Sequence, residues 1–121
     1  MTIDLHIHST ASDGKYAAQE ILREAKKRGI TFLAISDHDS IRAQEEASGE
    51  AEKAGIRYMT GVELNVIFSD AKFKEGKPVT LDFLGYQYDF NNEALKSKLM
   101  LIANYREERA AKILDNLNFE F

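Results

Sequence analysis

From Thr2 to Val62 the chain alternates short apolar runs with longer amphipathic stretches, and each amphipathic stretch stops at a glycine. Few architectures accept that order. Residues 2–7 read as a strand, and residues 17–28 as a helix with Ile21, Leu22 and Ala25 on its inner face and Gly29 as its stop. Residues 30–36 are apolar and contain β-branched side chains, as a buried strand requires. An Ala-rich, acidic helix is predicted over 41–54, ended by Gly55, and a third strand over 56–62. This β-α-β-α-β order predicts an α/β fold with parallel strands joined by right-handed crossovers.

The remaining half is less regular. Residues 64–68 and 79–88 read as two strands of a hairpin, joined by the polar stretch 69–78 with Gly76 and the sole proline, Pro78. Asn91 or Asn92 is placed to cap a long last helix, in which Leu95, Leu99, Ile102, Arg106, Ala110, Ile113 and Leu117 recur at helical spacing. No repeat or low-complexity linker divides the 121 residues, so 1–121 is expected to form a single domain with a modest core. The closing Asn118-Phe119-Glu120-Phe121 has two aromatics and no polar tail, which reads as a cut through a longer chain.

The polar residues fall where such a fold places its chemistry. Parallel α/β proteins build sites at the C-terminal ends of their strands, where the loops converge. His6, His8 and Asp13 follow the first strand, Asp37-His38-Asp39 the second, and Glu63 the third, so all three histidines share one predicted rim. Within a strand His6 and His8 project to the same face. Taken singly these signals are weak: a lone histidine is more often a surface or satisfied core residue, Asp13-Gly14 is a common turn, and Asp37 or Asp39 could simply cap the next helix. Their conjunction on one rim is what points to a metal centre.

Composition narrows the chemistry. The chain has no cysteine, which leaves His, Asp and Glu as ligands and excludes disulfides, thiolate sites and a cysteine nucleophile. No Gly-x-Ser-x-Gly elbow is present. The formal net charge of −4 offers no broad electrostatic footprint for nucleic acid or anionic membrane. No apolar run is long enough to span a bilayer and no secretion signal opens the chain, so a cytoplasmic protein is expected. Imidazole and carboxylate without thiolate suit Zn, Mn or Fe, and a carboxylate such as Glu63 could bridge two ions. Ions so held activate water and bind phosphoryl oxygens, which makes phosphoester hydrolysis the expected reaction.

The motifs Asp4-Leu5-His6-Ile7-His8-Ser9 with Ser12-Asp13-Gly14, then Ile35-Ser36-Asp37-His38-Asp39-Ser40, then Gly61-Val62-Glu63-Leu64, resemble the first three motifs of the PHP (polymerase and histidinol phosphatase) family. The resemblance covers essentially the whole chain. Leu84-Gly85-Tyr86 and the Arg106-x-x-Arg109 helix are similar to the small metal-dependent phosphoesterase branch. The resemblance implies the N-terminal part of a distorted (β/α)7 barrel with a long C-terminal helix, and a centre of two or three divalent ions. It assigns His6 and His8 to one ion, Asp13 and His38 to a second, and Glu63 as the bridge. Asp13, His38 and Glu63 would then act through the bound metal, with Asp37 and Asp39 in supporting or capping roles.

That resemblance implies a phosphoesterase in which metal-bound hydroxide hydrolyses a phosphorylated small molecule or nucleotide, with Arg106 or Arg109 helping to bind the phosphate. The alternatives are a metal-stabilised PHP module without catalysis and a PHP exonuclease acting on nucleic-acid ends. Two departures stand out. Asp82 occupies a position where that branch often has His, and the later His-Pro and closing Asp-x-His motifs are missing. A fragment of this kind is expected to expose strand edges and apolar surface and to associate with itself or another chain.

Overall fold

The computed structural model describes residues 1–120. It divides into two compact units, residues 1–90 and a second that begins at Asn91. In the first unit, β1 (Ile3–Ile7), β2 (Phe32–Ile35) and β3 (Arg57–Tyr58) form a parallel sheet in the order β1-β2-β3. Helices α1 (Ala18–Lys27) and α2 (Gln44–Ala54) make the crossovers. The central strand β2 supplies Leu33, Ala34 and Ile35, all fully buried. Ile21, Leu22 and Ala25 of α1, with Ala47 and Ala51 of α2, complete the core around it, on the α1 face the sequence predicts.

Both helices end as their sequences demand. Gly29 and Gly55 each take φ +71°, a left-handed turn that a side chain would strain. Ile30 N then donates to Ala25 O and Ile56 N to Ala51 O, which satisfies carbonyls the helix ends leave open. At the other end, α2 begins at Gln44 rather than residue 41, because 41–43 form a turn closed by Gln44 N donating to Ile41 O.

The predicted strand over 56–62 is two elements. After Tyr58 the chain leaves β2, and Gly61 opens β4 (Gly61–Phe68), which pairs antiparallel with β5 (Val79–Tyr86). The reason lies in α2. Leu33 O accepts from Met59 N and Asp37 O from Glu63 N, but between them Ile35 O accepts from the side-chain Nε2 of Gln44. The same amide donates to Gly61 O at 2.9 Å, and Tyr58 Oη donates to Gln44 Oε1 at 2.8 Å. A buried carboxamide thus stands where a main-chain rung would be, and the break costs no hydrogen bond at Ile35. Gly61 suits the place: a Cβ there would sit 2.8 Å from Ile35 O.

The hairpin is in continuous register from Gly61 opposite Tyr86 to Phe68 opposite Val79. Tyr86 Oη donates to Leu5 O at 2.7 Å and Tyr88 Oη to Gly61 O at 2.7 Å, tying the hairpin base to β1 and β4. In the second unit, α3 (Glu93–Glu120) opens on Asn92, whose Oδ1 accepts from Leu95 N. Its surface is largely exposed, including Met100, Leu101, Leu114 and Phe119. The terminal aromatic Phe121 lies outside the described residues. Among the described residues, no helix is long and apolar enough to cross a membrane.

Candidate metal centre

The rim read from the sequence is a single cluster. His6 and His8 leave the end of β1, where the β1–β2 register shifts between Asp4 and Ile7. Their rings lie 5.2 Å apart, and His38 meets His8 edge-on at 4.5 Å. His38 and Glu63 form an isolated parallel bridge, with Glu63 N donating to Asp37 O and Asp39 N to Glu63 O. Glu63 therefore reaches the rim even though it lies inside β4 and not after a third parallel strand. Asp39 takes φ +45°, a left-handed turn that is strained for a residue with a side chain. Its Oδ1 accepts from Asn65 N, so β4 helps hold that turn.

Three imidazoles converge on one carboxylate oxygen. Glu63 Oε2 lies 2.9 Å from His6 Nε2, 2.7 Å from His8 Nε2 and 3.6 Å from His38 Nε2, on a side chain only 8% exposed. His8 engages Asp13 Oδ1 through Nδ1 at 2.7 Å, and Asp13 Oδ2 lies 3.8 Å from His38 Nε2. Close as it is to Glu63, the buried His8 Nε2 makes no hydrogen bond, because the contact lacks the geometry for one.

That orphaned nitrogen decides what the cluster fits. With Nδ1–H donated to Asp13, the neutral ring keeps an unshared Nε2 lone pair beside a carboxylate oxygen, and a cation within reach of both would satisfy them. The donor set of imidazole nitrogens and carboxylate oxygens suits a divalent ion. Three triads each offer ligand atoms within 4.8 Å of one another: His6, His8 and Glu63; His8, Asp13 and His38; His38, Glu63 and Asp82.

Electrostatics agree with the geometry. Burial alone would push the Glu63 carboxyl up, but the hydrogen bond from His6 and the nearby His38 bring it below the ordinary value of 4.5. The Asp13 carboxyl is lowered chiefly by its hydrogen bond with His8. Burial raises the Tyr86 phenol, and the Glu63 charge adds to the effect.

Three further residues shape the site, and the sequence names each of them without its contacts. Asp82 joins the third triad because it faces Asn65 across the hairpin and accepts from Asn65 Nδ2 at 2.8 Å. Strand alternation from Glu63 to Asn65 would have found it had the register been known. Asp37 is fully buried and holds the loop after β1 by three hydrogen bonds, from Ser9 N, Ser9 Oγ and Ser12 Oγ. Gly14 closes the same loop against the His8 backbone, where a Cβ would overlap the His8 carbonyl. Arg106 and Arg109 lie exposed on α3, in the second unit.

Comparison with known proteins supplies the family. Residues 4–117 match the sequence profile of the PHP domain. The chain belongs to the PHP family. It is 35% identical over 114 residues to a 5'-3' exoribonuclease of Haemophilus influenzae, covering 94% of this chain and 39% of that protein. It is 33% identical over 111 residues to a 3',5'-nucleoside bisphosphate phosphatase of Chromobacterium violaceum, covering 92% of this chain and 36% of that one. Among solved structures, a Bifidobacterium adolescentis protein provisionally called a metal-dependent phosphoesterase matches with a TM-score of 0.83 at 27% identity, over 100% of this chain and 40% of that chain. A C. violaceum amidohydrolase with bound sulfate and no metal matches with a TM-score of 0.79 at 33% identity, over 93% of this chain and 37% of that chain. This PHP chain therefore spans less than half the length of each of these relatives.

Proposed function

We propose that the chain carries the metal centre of a phosphoric ester hydrolase whose substrate is a phosphorylated small molecule or nucleotide. The observation that carries this reading is the convergence of three imidazoles on Glu63 Oε2, with His8 Nε2 buried and unbonded beside it. His6 and His8 would hold one ion and Asp13 and His38 a second, with Glu63 serving both and Asp82 as a further donor. The strands β1 to β3 with their helices are the start of the distorted (β/α)7 barrel. Two or three ions of Zn, Mn or Fe suit these donors. Such ions, when bound, supply Lewis acidity toward a phosphoryl group and make water acidic near neutral pH.

The chain's own residues prepare the site. Asp13 takes the His8 Nδ1 proton in a hydrogen bond and so fixes the tautomer that leaves Nε2 as a donor to the ion. The His38–Glu63 backbone bridge sets a donor of the loop after β2 beside a donor of β4. Arg106 and Arg109 are proposed as phosphate-binding cations on their Arg-x-x-Arg pattern alone. The absence of cysteine supports a cytoplasmic setting.

A second reading, hydrolysis at nucleic-acid ends, is favoured by the exoribonuclease relative. Metal analysis and a panel of nucleotides, sugar phosphates and 5'-phosphorylated oligonucleotides, run on the full-length protein, separate the readings. Activity on mononucleotides that disappears with chelator and in the His6→Ala/His8→Ala double variant is expected. Unchanged turnover in that variant would sink the metal centre, and turnover of oligonucleotides only would favour the second reading.

A further inference from the structure

We propose that Asp37 is a positioning residue that sets the Asp13/His38 half of the centre and leaves the His6/His8/Glu63 half largely to the backbone. The inference rests on the metal-centre reading above. Asp37 follows β2 and is fully buried, and both of its oxygens face the loop after β1. Oδ1 accepts from Ser9 N at 2.7 Å and Ser12 Oγ at 2.6 Å; Oδ2 accepts from Ser9 Oγ at 2.7 Å. Bonds of this length to a buried carboxylate are the strong, charge-assisted kind.

Ser9 passes the constraint on. Its carbonyl accepts from Ser12 N and Gly14 N, and its Oγ accepts from Ala11 N, so fixing Ser9 fixes the turn that carries Asp13. His38 is the residue after Asp37. One buried side chain thus references Asp13, on the β1 loop, to His38, on the β2 loop, whereas His6 lies inside β1, between the paired Asp4 and Ile7, and Glu63 is held by main-chain bonds to Asp37 O and Asp39 N. Those two do not depend on the Asp37 carboxylate, and His8 is the one donor of that half that it reaches, through Asp13.

Ser12 adds a second effect. Its Oγ lies 2.6 Å from Asp37 Oδ1 and 3.3 Å from Asp13 Oδ1, and a hydroxyl has one proton to give. The shorter contact takes it. Asp37 therefore keeps the Ser12 proton off Asp13 and leaves that carboxylate to His8 and to an ion. Without Asp37, Ser12 turns to Asp13 and competes with His8 for Oδ1, which disturbs the carboxylate that an ion would use.

Asp37→Asn keeps the size of the side chain and one acceptor but cannot accept the Ser9 hydroxyl through its amide nitrogen. The test is Co2+ titration of the wild-type protein, Asp37→Asn and the milder Ser12→Ala, read by calorimetry and by the visible absorption of bound Co2+. Asp37→Asn should weaken the Asp13/His38 ion by about 10- to 100-fold and the His6/His8/Glu63 ion by less than about threefold, with Ser12→Ala between it and wild type. Hydrogen exchange without metal should show Ser12 and Gly14 amides losing protection while those of β2 keep it. Equal weakening of both ions, or of neither, overturns the proposal. A wild-type protein that binds no Co2+ refutes the metal reading instead, and unchanged exchange at Ser12 and Gly14 then refutes the anchoring on its own.

Discussion

Replacing Gln44 by Leu tests whether a side chain really serves as the rung between β2 and β4. Leucine nearly preserves volume on α2 and removes only the carboxamide. Four groups lose a partner: Ile35 O, Gly61 O, Tyr58 Oη and, through a long 3.4 Å contact, Gly61 N. Gly61 O keeps its bond from Tyr88 Oη and the Gly61 N contact is long and weak, so two groups, Ile35 O and Tyr58 Oη, lose a strong bond. At about 1–3 kcal/mol for each buried orphan, the substitution should destabilise the fold by about 2–6 kcal/mol. That is a large part of the stability of a domain this size, commonly about 5–15 kcal/mol. Urea unfolding followed by far-UV circular dichroism, with chelator in both samples, measures it directly. Because Gly61 leads into Glu63, Gln44→Leu should also weaken ion binding even though Gln44 touches no proposed ligand. A loss below about 1 kcal/mol would refute the reasoning, since it would mean that water or a local shift replaces the carboxamide freely.

Other perturbations follow from the same geometry. Gly14→Ala places a Cβ against the backbone of His8 and 2.7 Å from Ser9 N, where no rotamer change relieves it; a destabilisation of about 1–3 kcal/mol is expected in the same urea assay, with weaker ion binding, and wild-type behaviour in both would refute the close approach. Glu63 and Asp13 have carboxyls lowered in the fold, so each contributes stability that is present above its ordinary value, 4.5 or 3.8, and is lost as pH falls through the depressed folded value. Urea midpoints of the metal-free protein should therefore drop as pH falls below 4.5, and less steeply for Glu63→Gln; identical slopes would contradict this. Exposed Ile67 and Phe83 on the hairpin, and Met100 and Leu101 on α3, should make the isolated chain self-associate, with a sedimentation coefficient that rises with concentration.

What the sequence could show was whatever local pattern controls. The helix stops at Gly29 and Gly55 and the inner face at Ile21, Leu22 and Ala25 are properties of single segments, and they emerge as read. The strand-end histidines and Glu63 are legible for a related reason, since the parallel order brings strand ends together whatever the details. The break at Met59–Thr60 was not legible, because a residue of α2, 17 positions before Gly61, fills it. Asp82 was hidden by register: nothing in 69–78 fixes which residue of β5 faces Asn65. Asp37 had the right address but an ambiguous duty, because capping a helix and accepting from Ser9 and Ser12 call for the same residue type.

The proposed donors differ in what holds them, and that difference orders how ions should bind. His6 lies inside β1, between the paired Asp4 and Ile7, and His38 and Glu63 are tied by two main-chain bonds across a parallel bridge. Their backbones can move only if the sheet moves. Asp13, with a side chain 66% exposed, sits on a turn secured through Asp37, and Asp82 is exposed on a hairpin and steadied by Asn65. An ion taken by His6, His8 and Glu63 meets donors already in place, whereas ions that use Asp13 or Asp82 must also order a side chain that solvent otherwise shares, and ordering has an entropic cost. The first ion should therefore bind more tightly than those that follow, with the gap set by the Ser9, Ser12 and Asn65 hydrogen bonds more than by the ligands themselves.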